Sequence, residues 1–137
     1  MSRPSASITF LTYEHLESAI RFYGDTLGLP LIEDQGWAKV YRISGSAHVG
    51  LVASPEAVGE RLPGAGVLLS IVVDDVADVD AWYERLCDEP EIEIAGRPAG
   101  VHGIPVYSFF LRDPGGYRLE IQAFTQPAIL ERFLSFD

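Results

Sequence analysis

Residues 111–121 read LRDPGGYRLEI, and this stretch decides how the fold is interpreted. Apolar and polar residues alternate on both sides of 113–116, Asp-Pro-Gly-Gly, which has the composition of a tight turn. The pattern predicts two antiparallel strands, Val106–Arg112 and Tyr117–Phe124, joined as a hairpin.

Outward from this hairpin, one order of elements is predicted twice, namely a strand, a helix and three more strands. The first half is predicted to contain strand Ile8–Thr12, helix Glu14–Thr26 and strands Leu31–Asp34, Trp37–Ile43 and His48–Ala53. The second half is predicted to contain strand Val67–Val73, a helix from about Val76 to Leu86, strand Glu91–Ala95 and the hairpin. Both helices carry an aromatic pair, Phe22-Tyr23 and Trp82-Tyr83, at corresponding positions.

The repeat predicts one domain, 1–137, built from two βαβββ modules at about 7–54 and 67–125. A linker rich in Pro and Gly, 55–66, lies between them, and a tail, 126–137, follows.

Composition narrows the class of partner. The 137 residues are 47% hydrophobic and 22% charged, which suits a compact core. Twenty acidic against ten basic residues give a formal net charge of −10, which disfavours nucleic acid and anionic membranes. The single Cys87, the absence of an apolar run long enough to cross a bilayer and the absence of a signal peptide predict a cytoplasmic protein.

Two stretches carry a family resemblance. Residues 21–29, RFYGDTLGL, and residues 111–121 resemble the two signature stretches of the vicinal oxygen chelate superfamily, which includes glyoxalase, bleomycin-resistance and ring-cleaving dioxygenase proteins. The resemblance extends from about Ile8 to Phe124. It implies an α+β fold in which two βαβββ modules form a curved mixed sheet around a shared cleft, assembled as a homodimer.

The resemblance also directs attention to four strand positions, because enzymes of the superfamily hold a divalent metal with His, Glu or Gln from the first and last strand of each module. Glu120 matches the ligand carboxylate. Phe10 and Gly50 are aligned with the two positions of the first module, and strand Val67–Ile71 of the second is expected to offer an apolar residue. Since a metal needs three or four N or O ligands, we predict no metal and no cofactor. The alternative is a displaced divalent metal site that uses His48 and Glu120.

Strand alternation predicts which side chains of the hairpin line the cleft. If Arg112 faces Tyr117, then Phe109 pairs with Glu120, and Tyr107 shares their face.

In the third strand, Ala38 and Val40 are small enough to pack under a helix, which directs Trp37 and Tyr41 to the cleft. His102 lies between glycines in a segment whose backbone freedom would let it turn over the cleft. The predicted ligand-binding residues are therefore Phe10, Trp37, Tyr41, His48, His102, Tyr107, Phe109 and Glu120. The alternatives are that the aromatic side chains fill a core, that His48 is an ordinary strand histidine and that His102 is an ordinary loop histidine.

These features predict a metal-independent protein, with no catalytic residue, that sequesters an aromatic or cationic natural product such as an antibiotic. This is the character that the resemblance attaches to the bleomycin-resistance branch. The alternative is a metal-dependent lyase, isomerase or dioxygenase built on His48, Glu120 and His102.

Overall fold

A computed structural model describes residues 4–53 and 67–135, without the side chain of Val101. The chain divides into two compact units, 1–65 and 66–137. The predicted linker 55–66 lies outside the described residues.

The first unit has the predicted order, with one change in the helix. It contains β1 (Ser7–Tyr13), α1 (Glu17–Ile20), a π-helix (Arg21–Thr26), β2 (Leu31–Asp34), β3 (Ala38–Ser44) and β4 (Ala47–Ala53). The helix predicted for 14–26 thus begins later, and its second part is wound more widely, because Leu27 N–H donates to the carbonyl of Phe22, five residues back. The sheet order is β1-β4-β3-β2, with β1 parallel to β4 and the other pairs antiparallel.

The second unit repeats this plan. It contains β5 (Leu68–Val72), α2 (Val76–Cys87), β6 (Glu93–Val101), β7 (Ile104–Arg112), β8 (Arg118–Phe124) and α3 (Pro127–Leu134). The sheet order is β5-β8-β7-β6, again with one parallel pair, β5 with β8. Strand β6 is longer than predicted because a register shift between Ala95 and Ala99, which includes Gly96 at φ +91°, lets pairing with β7 continue beyond the bend.

Helix α2 begins where its sequence indicates. The Asp75 side chain accepts a hydrogen bond from Asp78 N–H at 2.9 Å and so caps the helix. Its apolar face buries Val79 and Leu86.

Each unit has its own core on one face of its sheet. The buried side chains of the first unit include Leu11, Tyr13, Phe22, Tyr23, Tyr41, Val49 and Leu51. Those of the second include Val79, Leu86, Phe109, Leu111, Leu119, Ile121 and Ala123. On the opposite face of the first sheet, Ala38, Val40 and His48 are also buried. Among the helices that the structure describes, none has both the length and the apolar character needed to cross a membrane.

Candidate functional site

The open face of the first sheet is organised in transverse rows of side chains. Strand pairing places Phe10 beside Gly50, Gly50 beside Val40 and Val40 beside Glu33. A row of this kind shares one face of a sheet, because paired residues point to the same side. Gly50 leaves room in this row for the ring of Phe10. A Cβ at Gly50 would lie 2.5 Å from both Cδ1 and Cε1 of Phe10, so the aromatic ring covers the place that a side chain would take.

A cavity of about 340 Å³ lies over this face. Its lining is mainly apolar and comes from β1, β2, β3, β4 and the β2–β3 turn: Ala6, Ile8, Phe10, Ile32, Glu33, Gln35, Trp37, Ala38, Val40 and His48. Its volume falls within the range of small-molecule sites.

Two large aromatic side chains at this cavity remain exposed to solvent. Phe10 is 55% exposed and Trp37 is 61% exposed. Trp37 lies in the β2–β3 turn, where its carbonyl accepts a hydrogen bond from Ala53 N–H at 3.0 Å. When a flat ligand covers exposed aromatic surface in a concave site, the removal of that surface from water favours binding.

His48 is the buried polar residue of this cavity, at 7% exposure. Its Nδ1 lies 3.0 Å from the carbonyl oxygen of Ser7, so Nδ1 carries the proton that this contact requires. In the neutral ring Nε2 is then an acceptor. Phe10, Trp37 and His48 are thus three predicted site residues that the structure brings together at one cavity.

Tyr41 lies on the other face, and its predicted placement in the cleft is wrong. It pairs with Val49, is 3% exposed and packs under the π-helix, where a Cβ at Gly24 would lie 3.2 Å from its Cε1. A glycine in the helix leaves space for a tyrosine ring, so the small Ala38 and Val40 are free to face the cavity instead. Burial raises the pKa of Tyr41.

The register predicted for the β7–β8 hairpin is also wrong, by one residue. Arg112 pairs with Arg118, so Glu120 lies opposite Phe110, and Phe109 lies opposite Ile121. The turn is shorter than assumed because Asp113 itself pairs with Tyr117, whose carbonyl accepts from Asp113 N–H at 2.9 Å.

The side chain of Asp113 reinforces this short turn by accepting from the N–H groups of Gly115 and Tyr117, both at 2.9 Å. Because a one-residue slip exchanges the two faces, Tyr107 and Phe109 lie on the helix side. Tyr107 donates a hydrogen bond to Asp80 of α2 at 2.6 Å, which raises the pKa of Tyr107. Phe109 packs edge-to-face on Tyr83 of α2 at 5.3 Å.

Glu120 lies on the open face of the second sheet in a small polar cluster. Its Oε1 accepts from the Ser70 hydroxyl at 2.9 Å and from the Gln122 amide at 3.1 Å. The Gln122 amide also donates to Ser70, while Gln122 Oε1 is buried and has no hydrogen-bond partner among the described residues. His102 lies elsewhere, exposed in the turn between β6 and β7.

The donor set at the four strand positions does not fit a metal. Phe10 pairs with Gly50 in the first unit, and neither side chain offers a ligand atom. Ser70 pairs with Glu120 in the second, so this position carries a hydroxyl and the expectation of an apolar residue there is wrong. Within 4–53 and 67–135, no three His, Cys, Asp or Glu side chains are grouped as metal ligands would be.

Sequence reasoning missed several residues of these two faces. Ile32, Glu33 and Gln35 line the cavity from β2 and the β2–β3 turn, and Ser70 donates a hydrogen bond to Glu120. One sequence signal could have assigned the faces of the first sheet. Gly24 lies inside a helix, where a glycine usually has a packing reason, and here it makes room for the ring of Tyr41.

Comparison with known proteins agrees with this architecture. A sequence model of the Glyoxalase/Bleomycin resistance protein/Dioxygenase superfamily matches residues 6–121. A glyoxalase/bleomycin resistance protein/dioxygenase from Nocardioides has a similar structure, with a TM-score of 0.72 and 22% identity over 92% of this chain and 87% of that one. A similar protein from Alicyclobacillus acidocaldarius has a TM-score of 0.72 and 16% identity, over 91% and 95% of the two chains.

A third similar structure is a lactoylglutathione lyase from Agrobacterium tumefaciens. Its TM-score is 0.66 at 26% identity, over 88% of this chain and 95% of that one. Comparison with curated protein sequences finds no match. With a match over residues 6–121 and two sheets of the same mixed topology, the chain belongs to the Glyoxalase/Bleomycin resistance protein/Dioxygenase superfamily.

Proposed function

We propose that this protein is a metal-independent binding protein that captures a flat aromatic natural product, such as an antibiotic, and so prevents it from reaching its target. It acts in the cytoplasm as a homodimer. The observation that carries the proposal is the apolar cavity of the first unit, at which Phe10 and Trp37 leave more than half of their surface exposed.

The chemistry of the cavity supports binding rather than catalysis. Aromatic stacking contributes about 0.5 to 1.5 kcal/mol for each well-placed ring in addition to the burial of apolar surface. The polar groups of the lining, which include His48 and Gln35, would orient a ligand by hydrogen bonds. We therefore expect the ligand to be a planar compound with fused aromatic rings, as some antibiotics are.

Trp37 fluorescence tests the proposal directly, because the chain has only two tryptophans. In a Trp82→Phe background, Trp37 is the sole emitter. We expect planar acridine, phenazine or anthracycline compounds to quench it with a saturable curve. Calorimetry then measures the affinity of the Trp37→Ala variant. We expect the binding free energy to weaken by at least about 1 kcal/mol, or about fivefold in Kd, because the residue provides a stacking surface.

The control for this experiment is Trp82→Ala, which removes an indole of the second unit and should leave the affinity unchanged. Equal losses in the two variants, or a panel of planar compounds that produces no saturable quenching, would contradict capture at this cavity.

A second candidate is a metal-dependent lyase or dioxygenase. The observation in its favour is the similarity to the lactoylglutathione lyase from Agrobacterium tumefaciens. Such an enzyme would hold a stoichiometric divalent metal that depends on Glu120. The other three strand positions described above favour the binding function instead, because Phe10 and Gly50 offer no ligand atom and Ser70 offers only a neutral hydroxyl.

A further inference from the structure

We propose that the cavity of the first unit selects aromatic ligands that carry a protonated amine, and that Glu33 is the residue that recognises the positive charge. The inference rests on the proposed function, because it assigns a ligand class to the same cavity.

Strand register places the Glu33 side chain on the cavity face. Glu33 pairs with Val40, and Val40 pairs with Gly50, so the three residues share one side of the sheet. The next residue, Asp34, pairs with Lys39 and points to the opposite side. A register shift between Leu31 and Glu33 leaves Ile32 without a paired residue on β3. Because of this shift, Glu33 faces the cavity and Asp34 faces the other side of the sheet.

The charges of these two carboxylates are compensated differently. Asp34 accepts from the Lys39 ammonium at 2.7 Å and from Gly36 N–H at 2.9 Å, and the Lys39 contact lowers the pKa of Asp34. Glu33 forms no ion pair within the part of the chain that the structure describes. Of the described residues that line the cavity, it is also the one that carries a carboxylate.

The two basic side chains nearest in the strand register, Lys39 and Arg42, do not neutralise Glu33. Lys39 is held on the opposite face by Asp34. Arg42 shares the cavity face as the cross-strand partner of His48, but it does not belong to the lining. Among the described residues, the lining therefore carries one negative charge and no permanent positive charge.

His48 favours the same ligand chemistry. Since its Nδ1 proton is directed to the Ser7 carbonyl, the neutral ring offers an acceptor, and Glu33 offers acceptors only. A ligand must supply donors to satisfy them. A primary or secondary ammonium supplies both the donors and the charge, while the walls of Phe10 and Trp37 accept its aromatic part.

The cavity volume, about 340 Å³, suits a compact ligand or one end of a larger one. The expected class is thus a one- to three-ring aromatic amine that is protonated at neutral pH. Aromatic carboxylates should be rejected, because their charge would lie against Glu33.

The test uses two isosteric probes, 2-naphthylmethylammonium and 2-naphthylmethanol, in a titration of the full chain. The readout is the NMR signal of the tryptophan indole N–H groups. Two tryptophans give two signals, so Trp37 reports on the cavity and Trp82 is the internal control. Because Glu33 is exposed, we expect the ammonium probe to bind about two- to fivefold more tightly than the alcohol.

Glu33→Gln should reduce the ratio of the two affinities to about onefold, because the substitution removes the charge and keeps the shape of the cavity. Asp34→Asn is the matched control. It removes the same charge one residue away on the other face and should keep the preference.

The outcomes separate the two proposals. If Glu33→Gln keeps the preference, or if Asp34→Asn loses it equally, charge recognition by Glu33 is wrong while capture stands. If neither probe shifts the Trp37 signal, capture at this cavity fails as well.

Discussion

Gly50 explains at the level of a single residue how the Phe10 ring, which lines the cavity, comes to lie against the sheet. Any side chain there would meet the ring of Phe10, whose Cδ1 and Cε1 lie 2.5 Å from the position of a Cβ. The same ring is 55% exposed, so it has space to rotate away at the cost of its present contacts. The position of the Phe10 ring at the cavity therefore depends on the absence of one methyl group.

Gly50→Ala is expected to displace the Phe10 ring and to weaken aromatic ligand binding several-fold. Because an exposed ring can adopt another rotamer, the free energy of unfolding should fall by only about 1 kcal/mol. Gly45→Ala is the control, since a Cβ there meets nothing within 4 Å. Urea unfolding and Trp37 quenching measure the two effects, and an unchanged affinity in Gly50→Ala would contradict this role for Gly50.

The π-helix and β3 form the contact that assigns the two faces of the first sheet. Gly24 lies against Tyr41, with a Cβ position 3.2 Å from Cε1 and 3.4 Å from the hydroxyl oxygen. Tyr41 is buried and has little room to move. This helix–strand contact keeps Tyr41 on the core side and leaves Val40 for the cavity.

Gly24→Ala should lower the free energy of unfolding by about 1 kcal/mol, because crowding of the buried Tyr41 ring outweighs the better helix propensity of alanine. Gly24→Ala combined with Tyr41→Phe, which removes the crowded hydroxyl, should recover part of the loss. Thermal unfolding measures both. If Gly24→Ala unfolds at the same temperature as the unchanged protein, the Tyr41 ring is not crowded by a side chain at this position, and the prediction is wrong.

Element order was predictable from periodicity, whereas the faces were not. The repeated βαβββ order, the Asp75 cap of α2 and strand β2 follow from local pattern, and the structure has them. Faces depend on register, and register depends on turn geometry that composition leaves open. The Asp113–Tyr117 pair makes one turn a residue shorter than predicted, and this places Phe109 and Tyr107 on the helix side of the sheet instead of the open face.

The candidate site was predictable in part. Phe10, Trp37 and His48 were predicted as ligand-binding residues and line one cavity, because β1 and β4 pair directly and the β2–β3 turn brings Trp37 to them. Glu33 and Ser70 were missed, since their significance comes from cross-strand neighbours that are distant in sequence. Whether these residues bind a ligand stays a prediction.

For the whole molecule, family membership leaves two functions open, and the donor set decides which one we propose. A net charge of −10 suits a cationic ligand, as does the uncompensated carboxylate of the cavity. The paired strands β1 and β4 carry an aromatic ring over a glycine, and β5 and β8 carry a hydroxyl beside a carboxylate. The central claim is therefore that ligand binding does not need a metal.

The most direct measurement of this claim is ligand affinity in chelator-treated protein, together with metal analysis of protein purified without chelator. We predict no stoichiometric metal, and the same Kd for a planar ligand before chelation, after it, and with manganese, zinc, nickel or iron(II) added. Stoichiometric metal that is lost in Glu120→Ala, together with ligand binding that is abolished by chelation and restored by metal, would contradict the account.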